Sequence, residues 1–160
     1  YTNVYNNPII NKEILEYVDI GVSKQNLVQN NDLIFTQSSE TIDEIGLCSV
    51  WLDNTKNVYL NSFCFGFRLN SKSSIISYFL MMQLRYSNKR TSIIREGQGS
   101  TRFNLSPNRL KTIEIFLPSL NEQKKIISMF SEHDLLIKNT MQNLECTKEL
   151  KKGLLQKMYV

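Results

Sequence analysis

The sequence has few of the residues from which most catalytic and metal sites are built. It contains one histidine, His133, and three widely spaced cysteines, with no Cys-x-x-Cys pair among its 160 residues. A zinc site needs about four such ligands at workable spacing, so these counts exclude zinc and predict reduced thiols and a cytoplasmic protein. No apolar run approaches the roughly 18 residues that a membrane span requires, which predicts no membrane partner.

Motifs that carry common enzymatic chemistry are also missing. The chain has no Gly-x-Ser-x-Gly elbow, and the loop at Gly97 lacks the Gly-Lys-Ser/Thr ending of a phosphate-binding P-loop. Asn7-Pro8-Ile9-Ile10 differs from the Asn/Asp-Pro-Pro-Tyr/Phe run with which adenine methyltransferases hold a flipped base. The sequence therefore predicts a binding module that is not an enzyme and has no cofactor of its own.

Acidic residues are scarce in the middle of the chain. Residues 61–112 contain nine lysines and arginines against Glu96 alone, a net charge of +8, whereas residues 1–60 carry −5 and residues 113–160 carry +1. Such a concentrated positive charge creates a local field whose commonest natural partner is phosphate. The segment therefore favours a nucleic-acid partner.

Hydrophobic periodicity predicts an α+β fold with a small mixed globule at residues 1–118. Short apolar runs and period-two alternation predict strands at residues 33–36, 46–52, 63–68 and 112–117. A first helix is expected over residues 71–90 and a short one around Pro107. The apolar stripe of the first helix is Ile75, Tyr78, Phe79, Met82 and Tyr86.

Residues 119–160 predict one long helix almost without breakers. Ser119 and Glu122 have the spacing of a capping box, and apolar residues then recur at helical spacing. About 38 helical residues extend about 57 Å at about 1.5 Å per residue, which exceeds the width of a small domain. We therefore expect the helix to pack against a partner, with a break near residues 131–133 left open.

Two polar loops, at residues 37–41 and 98–102, carry side chains suited to DNA. Gln, Ser and Thr can exchange hydrogen bonds with base edges, Arg can fork onto guanine, and Glu can accept from the cytosine amino group. Basic residues nearby in the sequence are suited to phosphates. The candidate DNA-binding residues are Ser38, Ser39, Glu40, Thr41, Arg85, Lys89, Arg90, Arg95, Gln98, Gly99, Ser100, Thr101 and Arg102.

Several motifs resemble one protein family. The run Asn31-Asp32-Leu33-Ile34-Phe35-Thr36-Gln37-Ser38-Ser39-Glu40-Thr41 and the run Gly99-Ser100-Thr101-Arg102-Phe103-Asn104 are similar to the target-recognition domain of type I restriction–modification specificity subunits. The opening Leu117-Pro118-x-Leu120-x-Glu122-Gln123 and the ending Lys152-Gly153-Leu154-Leu155-Gln156-Lys157-Met158 resemble the family's spacer helix. The resemblance covers nearly the whole chain, in the family's order.

The resemblance implies a specificity module without catalysis. Residues 1–118 would be a recognition domain, with its first residues absent, that reads one half of a bipartite site in double-stranded DNA. The helix at residues 119–160 would pair as an antiparallel coiled coil and hold adenine-methyltransferase subunits, with a restriction subunit joining the complex. S-adenosylmethionine, ATP and Mg²⁺ would belong to those partners. The residues assigned to pairing and docking are Glu122, Gln123, Ile126, Phe130, Ile137, Met141, Leu144 and Leu154.

Other interpretations remain open from the sequence. The chain is expected to be either a fragment of a two-domain subunit or a half-subunit that forms a homodimer through the long helix. It could instead be the DNA-recognition tail of a single-chain methyltransferase or type II restriction enzyme. A protein–protein scaffold, in which the helix is the active part and the basic segment aids solubility, is the third alternative.

Overall fold

The computed structural model describes residues 1–21 and 25–158. Within them the chain forms five α-helices, five β-strands and two single 3₁₀ turns, at Lys12–Ile14 and Ile42–Glu44. The strands are β1 (Leu33–Thr36), β2 (Ser38–Ser39), β3 (Cys48–Val50), β4 (Cys64–Phe67) and β5 (Phe103–Asn104). The helices are α1 (Thr2–Asn6), α2 (Ser77–Tyr86), α3 (Lys89–Arg95), α4 (Pro107–Leu110) and α5 (Leu120–Met158).

The chain divides into two compact units, Tyr1–Leu120 and Asn121–Val160. The first unit combines small sheets with short helices, and the described residues of the second are helical, so the predicted α+β class is confirmed. In the part of the chain that the structure describes, no helix is long and apolar enough to cross a membrane.

A three-stranded antiparallel sheet in the order β3-β1-β4 forms the centre of the first unit. Leu33 of β1 lies opposite Val50 of β3 and Phe67 of β4, and Phe35 lies opposite Cys48 and Phe65. All four residues of β1 are buried, as expected for a short apolar strand at the centre of a sheet. The strands predicted at residues 33–36, 46–52 and 63–68 all occur, the last two shorter than predicted.

Aromatic side chains fill one face of this sheet. The rings of Phe35 and Phe65 stack with centroids 5.2 Å apart, and Phe67 meets both edge-on at 5.8 Å. Such aromatic pairs add about 0.5–1.5 kcal/mol beyond area burial. The period-two alternation of residues 63–68 predicts that Phe63 shares this face with Phe65 and Phe67, but Phe63 precedes β4 and its side chain is 51% exposed.

The helix predicted over residues 71–90 is two helices. It begins at Ser77, and α2 ends at Tyr86 before α3 starts at Lys89. Ser87 separates them because its hydroxyl donates to the carbonyl of Gln83 at 2.6 Å and accepts from the N–H of Lys89 at 3.1 Å. The same hydroxyl therefore bonds to the last turn of α2 and to a backbone N–H at the start of α3.

The predicted apolar stripe of the first helix was also wrong in part. Phe79 is buried, and Ile75, Tyr78 and Met82 are partly buried against the core, whereas Tyr86 is 66% exposed. The predicted stripe leaves out Leu80, Met81 and Leu84, which are buried as well. Because α2 packs on β3 on one side and α3 on the other, its buried surface is wider than a single stripe.

The strand predicted at residues 112–117 does not form. Ile113 and Ile115 pack against the core while Glu114 and Phe116 are exposed, so the predicted period-two burial is present. This segment pairs with none of the described strands, and a strand needs a hydrogen-bonded neighbour. The short helix predicted around Pro107 is present as α4, with the Ser106 hydroxyl accepting from the Arg109 N–H.

The long helix predicted over residues 119–160 is α5, which has 39 residues. It runs without interruption through residues 131–133, where a break had been left open. At about 1.5 Å per residue it is about 58 Å long. Residues 159 and 160 of the predicted helix lie outside the described residues.

Candidate nucleic-acid interface

The two polar loops predicted to contact DNA meet in a second, two-stranded sheet. Strand β2 pairs antiparallel with β5, placing Ser38 opposite Asn104 and Ser39 opposite Phe103. The Gln37 carbonyl extends this pairing by accepting from the N–H of Leu105 at 2.9 Å. Residues 37–41 and 98–104 therefore form one continuous surface, called here the paired-loop surface.

The second loop of this surface is a hairpin closed by its own backbone. Gln98 and Asn104 exchange two hydrogen bonds, at 2.9 and 2.7 Å. Gly99 has φ +130°, and a Cβ at this position would collide with the carbonyl oxygen of Arg102. Only glycine fits this turn without strain, so the hairpin presents Ser100, Thr101 and Arg102 on a defined backbone.

Arg102 lies between two exposed side chains. Its Nη2 atom is 3.8 Å from Oε1 of Glu40, and its guanidinium lies 5.9 Å from the ring centroid of Phe63. The backbone of Phe63 is held beside the first loop, because its carbonyl accepts from the N–H of Gln37 at 2.8 Å. Sequence reasoning missed Phe63, because its alternation with Phe65 and Phe67 indicated a core position.

Ser39 belongs to the support of the surface and not to its exposed face. Its buried hydroxyl donates to Oε2 of Glu44 at 2.8 Å and accepts from the N–H of Thr41 at 3.2 Å. The Tyr5 hydroxyl donates to the other oxygen of Glu44 at 3.0 Å. The Ser39, Thr41 and Tyr5 hydroxyls lower the pKa of Glu44 because they stabilise its carboxylate. Ser39 is therefore positioned to hold the loop in shape and not to read a base.

Arg85 has a structural role that its charge did not predict. Its guanidinium donates to the carbonyl of Cys48 at 2.9 Å, to the carbonyl of Val4 at 3.2 Å, and to the carbonyl of Tyr5. These bonds tie α2 to α1 and β3. Because both terminal nitrogens donate to backbone carbonyls, Arg85 is held against α1 and β3.

Arg90 is likewise turned toward the protein. Its Nη2 atom donates to the carbonyl of Asp43, and its Nη1 atom is buried. Burial, together with the neighbouring charge of Arg85, lowers the pKa of Arg90 to about 10. The side chain is therefore still protonated at neutral pH, but it braces the turn at Ile42–Glu44 behind the paired-loop surface.

Gly46 allows this turn to lie close to the rest of the unit. Its φ is +64°, and a Cβ here would lie 2.5 Å from the Leu105 side chain and 2.6 Å from that of Ile93. Leu105 follows β5 directly, and both side chains are fully buried. The glycine therefore lets the backbone after the first loop pack against the residue that ends the second.

Lys89 and Arg95 line a polar groove of about 350 Å³ beside α3. Glu96 and Glu114 line the same groove, and Glu96 is held by Arg109 at 3.0 Å. The groove is thus of mixed charge, unlike a continuous basic phosphate-binding strip. Among residues 1–21 and 25–158, no cluster of three or more His, Cys, Asp or Glu side chains could hold a metal ion.

The residues assigned to pairing and docking lie along α5. Most of them are exposed, and the exposed apolar members have 45–66% of their surface accessible. Gln123 is buried and Ile126 is partly buried. The exposed members are Glu122, Phe130, Ile137, Met141, Leu144 and Leu154. Large apolar side chains left in water over several turns are typical of a helix that meets a partner.

The sequence is similar to those of known proteins. A family model described as "Type I restriction modification DNA specificity domain" matches residues 1–146. The chain is also 30% identical over 91 residues to a protein of Methanocaldococcus jannaschii named "Putative type I restriction enzyme MjaX specificity subunit". The matched region is 56% of this chain but only 21% of that protein.

The chain is a small α+β unit with two paired polar loops, followed in the sequence by a long helix. Because the family model matches most of its length, the chain belongs to the type I restriction–modification DNA specificity domain family. Its role is therefore in DNA sequence specificity.

Proposed function

We propose that this chain reads one half of a bipartite site in double-stranded DNA for a type I restriction–modification complex. The observation that carries the proposal is the pairing of β2 with β5, which joins both polar loops into one surface. The surface offers Gln98, Ser100, Thr101 and Arg102, all exposed, as donors and acceptors for base edges. The net charge of +8 in residues 61–112 supplies attraction to the phosphate backbone.

The catalytic steps would belong to other subunits. The chain would direct adenine-methyltransferase subunits, which use S-adenosylmethionine, and a restriction subunit that uses ATP and Mg²⁺. The exposed apolar side chains of α5 support an antiparallel pairing with a second helix, either of another recognition domain or of a second copy. The remaining exposed face of that pair would hold the methyltransferase subunits.

DNA reading can be tested by selecting bound duplexes from a random library with the purified 160-residue chain. We expect an enriched motif of a few base pairs, and an affinity for random duplex that falls linearly with salt on logarithmic axes. The slope should be about −0.9 for each phosphate neutralised. Binding that depends on salt but enriches no motif would contradict sequence reading, and no salt-dependent binding would favour the scaffold alternative.

The spacer role of α5 has a geometric test. Seven residues inserted between Asn143 and Leu144 add two helical turns, about 10.5 Å. Because B-DNA rises about 3.4 Å per base pair, the gap between the two half-sites should grow by about three base pairs. Sequencing of methylated adenines in a host that carries the complete system measures the gap. Replacing Lys151 and Lys152 by alanine keeps the length and should leave the gap unchanged.

A further inference from the structure

We propose that Glu40, Phe63 and Arg102 act together to read one G·C base pair in the major groove. Arg102 would donate to O6 and N7 of guanine, and Glu40 would accept from the amino group of the paired cytosine. Phe63 would hold the Arg102 guanidinium in place and is thus a positioning residue. This inference rests on the proposed function and adds which base pair is read, and by which side chains.

Glu40 and Arg102 together carry hydrogen-bonding groups complementary to those that a G·C pair presents in the major groove. In the major groove the two acceptors of guanine lie beside the amino donor of cytosine. The pairing of β2 with β5 holds a forked donor, Arg102, and an acceptor, Glu40, 3.8 Å apart at one edge of the surface. The forked donor Arg102 can bind the two acceptors of guanine while Glu40 accepts from the amino group of cytosine. One base pair can therefore satisfy both side chains.

Glu40 contributes little to the stability of the fold and does not favour DNA binding in general. Its side chain is 83% exposed and that of Arg102 is 56% exposed. Exposed ion pairs contribute about 0–1 kcal/mol to stability, so this one holds little of the fold together. A carboxylate also repels phosphates, and it therefore weakens binding to any DNA that does not offer it a donor. An exposed acid beside the arginine fits selection of one sequence better than attraction to all sequences.

Phe63 explains how a flexible arginine could read one position. The ring is 51% exposed, so it leaves apolar surface in water next to the hairpin. The guanidinium 5.9 Å from its centroid is within the range of a cation–π contact. Holding the guanidinium before DNA arrives lowers the side-chain entropy lost on binding. The bond from the Gln37 N–H to the Phe63 carbonyl holds the backbone that carries this ring beside the first loop.

The experiment repeats the random-library selection with variants of the three residues in the full chain. Arg102→Lys keeps the charge but loses the fork, and preference for one G·C pair should fall about 5- to 150-fold while binding to random duplex is unchanged. Glu40→Gln should loosen the same base pair and no other, without loss of affinity for random duplex. Lys72→Ala removes an exposed charge elsewhere and should weaken all sequences without altering the motif.

Phe63 needs a readout that a structural defect would not reproduce. Phe63→Leu should lower the preference at the same base pair about two- to fivefold, the size of an exposed cation–π contact. Phe63→Tyr restores an aromatic face and should restore the preference. Once Arg102 is lysine, Phe63→Leu should have a smaller effect, because the forked group that the ring positions is gone.

The outcomes separate this inference from the function on which it rests. If the wild-type chain enriches no motif, the proposed function fails. If the wild-type chain enriches a motif that Arg102→Lys leaves intact, DNA reading stands and the G·C assignment is overturned. If Arg102→Lys and Glu40→Gln loosen different base pairs, the two side chains do not share one pair. An unaltered motif in Phe63→Leu overturns the positioning role.

Discussion

Arg85 and Arg102 come from the same basic segment but have opposite surroundings. Arg85 donates to backbone carbonyls of α1 and β3, whereas Arg102 lies at an exposed hairpin beside Phe63 and Glu40. One guanidinium is used to hold elements together, and the other is available to a ligand. Net charge along the sequence therefore overstates the number of basic groups available to DNA, because some of them, such as Arg85, bind backbone carbonyls of the protein itself.

Removing Arg85 should have the largest effect on folding. Arg85→Met keeps the length of the side chain but leaves the carbonyls of Val4, Tyr5 and Cys48 without this donor. Loss of charged hydrogen bonds in a partly buried site should lower the free energy of unfolding by about 3 kcal/mol. Denaturant unfolding measures this, with Arg102→Met as the matched control, for which we expect a change within about 0.5 kcal/mol. Equal losses in both variants would contradict the division between them.

The two serines of β2 provide a second, smaller contrast. Ser39→Ala removes the buried hydroxyl that joins Glu44 to the N–H of Thr41, and should cost about 2 kcal/mol of unfolding free energy. Ser38→Ala changes the less buried neighbour and should cost under about 0.5 kcal/mol. Denaturant midpoints compare the two. If the Ser38 variant were less stable than the Ser39 variant, the assignment of Ser39 as the buried, stabilising serine would be wrong.

The contribution of the Glu44 carboxylate to the free energy of unfolding should decrease at low pH, and we expect it to be the smallest of these effects. The folded protein holds the pKa of Glu44 below its ordinary value of 4.5, so the folded state binds this proton more weakly than the unfolded state does. Its stabilisation is therefore complete above about pH 4.5 and is lost as the pH falls through the lowered value. Glu44→Gln should be less stable than wild type at pH 7, and the difference should shrink toward pH 3. Thermal unfolding at both pH values measures it, and a constant difference would contradict this role.

Local pattern predicted much of the fold. Apolar runs located β1 and β3, and Pro107 marked the short helix α4, because these features act within a few residues. The split between α2 and α3 was not predictable in the same way, since it depends on one Ser87 hydroxyl. The expected strand at residues 112–117 failed for a tertiary reason, because alternation sets burial but cannot supply a neighbouring strand.

The paired-loop surface was likewise predictable from the sequence only in part. Side-chain chemistry selected both polar loops, and the structure places them side by side through two strands of only two residues each. Such short strands leave almost no pattern in the sequence. The inward side of Ser39, the carbonyl partners of Arg85 and the exposure of Phe63 all depend on contacts between distant parts of the chain. No single-residue propensity reports them, which is why Phe63 was missed.

Gly99 has a consequence for how new target sequences could arise. Its backbone geometry and the two Gln98–Asn104 bonds fix the shape of the hairpin without the help of the Ser100 or Thr101 side chains. Substitutions of those two side chains therefore leave in place the glycine and the two backbone bonds that shape the turn. The backbone sets the shape of the hairpin, and the exposed side chains set its contacts. A change of target sequence through those side chains therefore need not lower the free energy of unfolding.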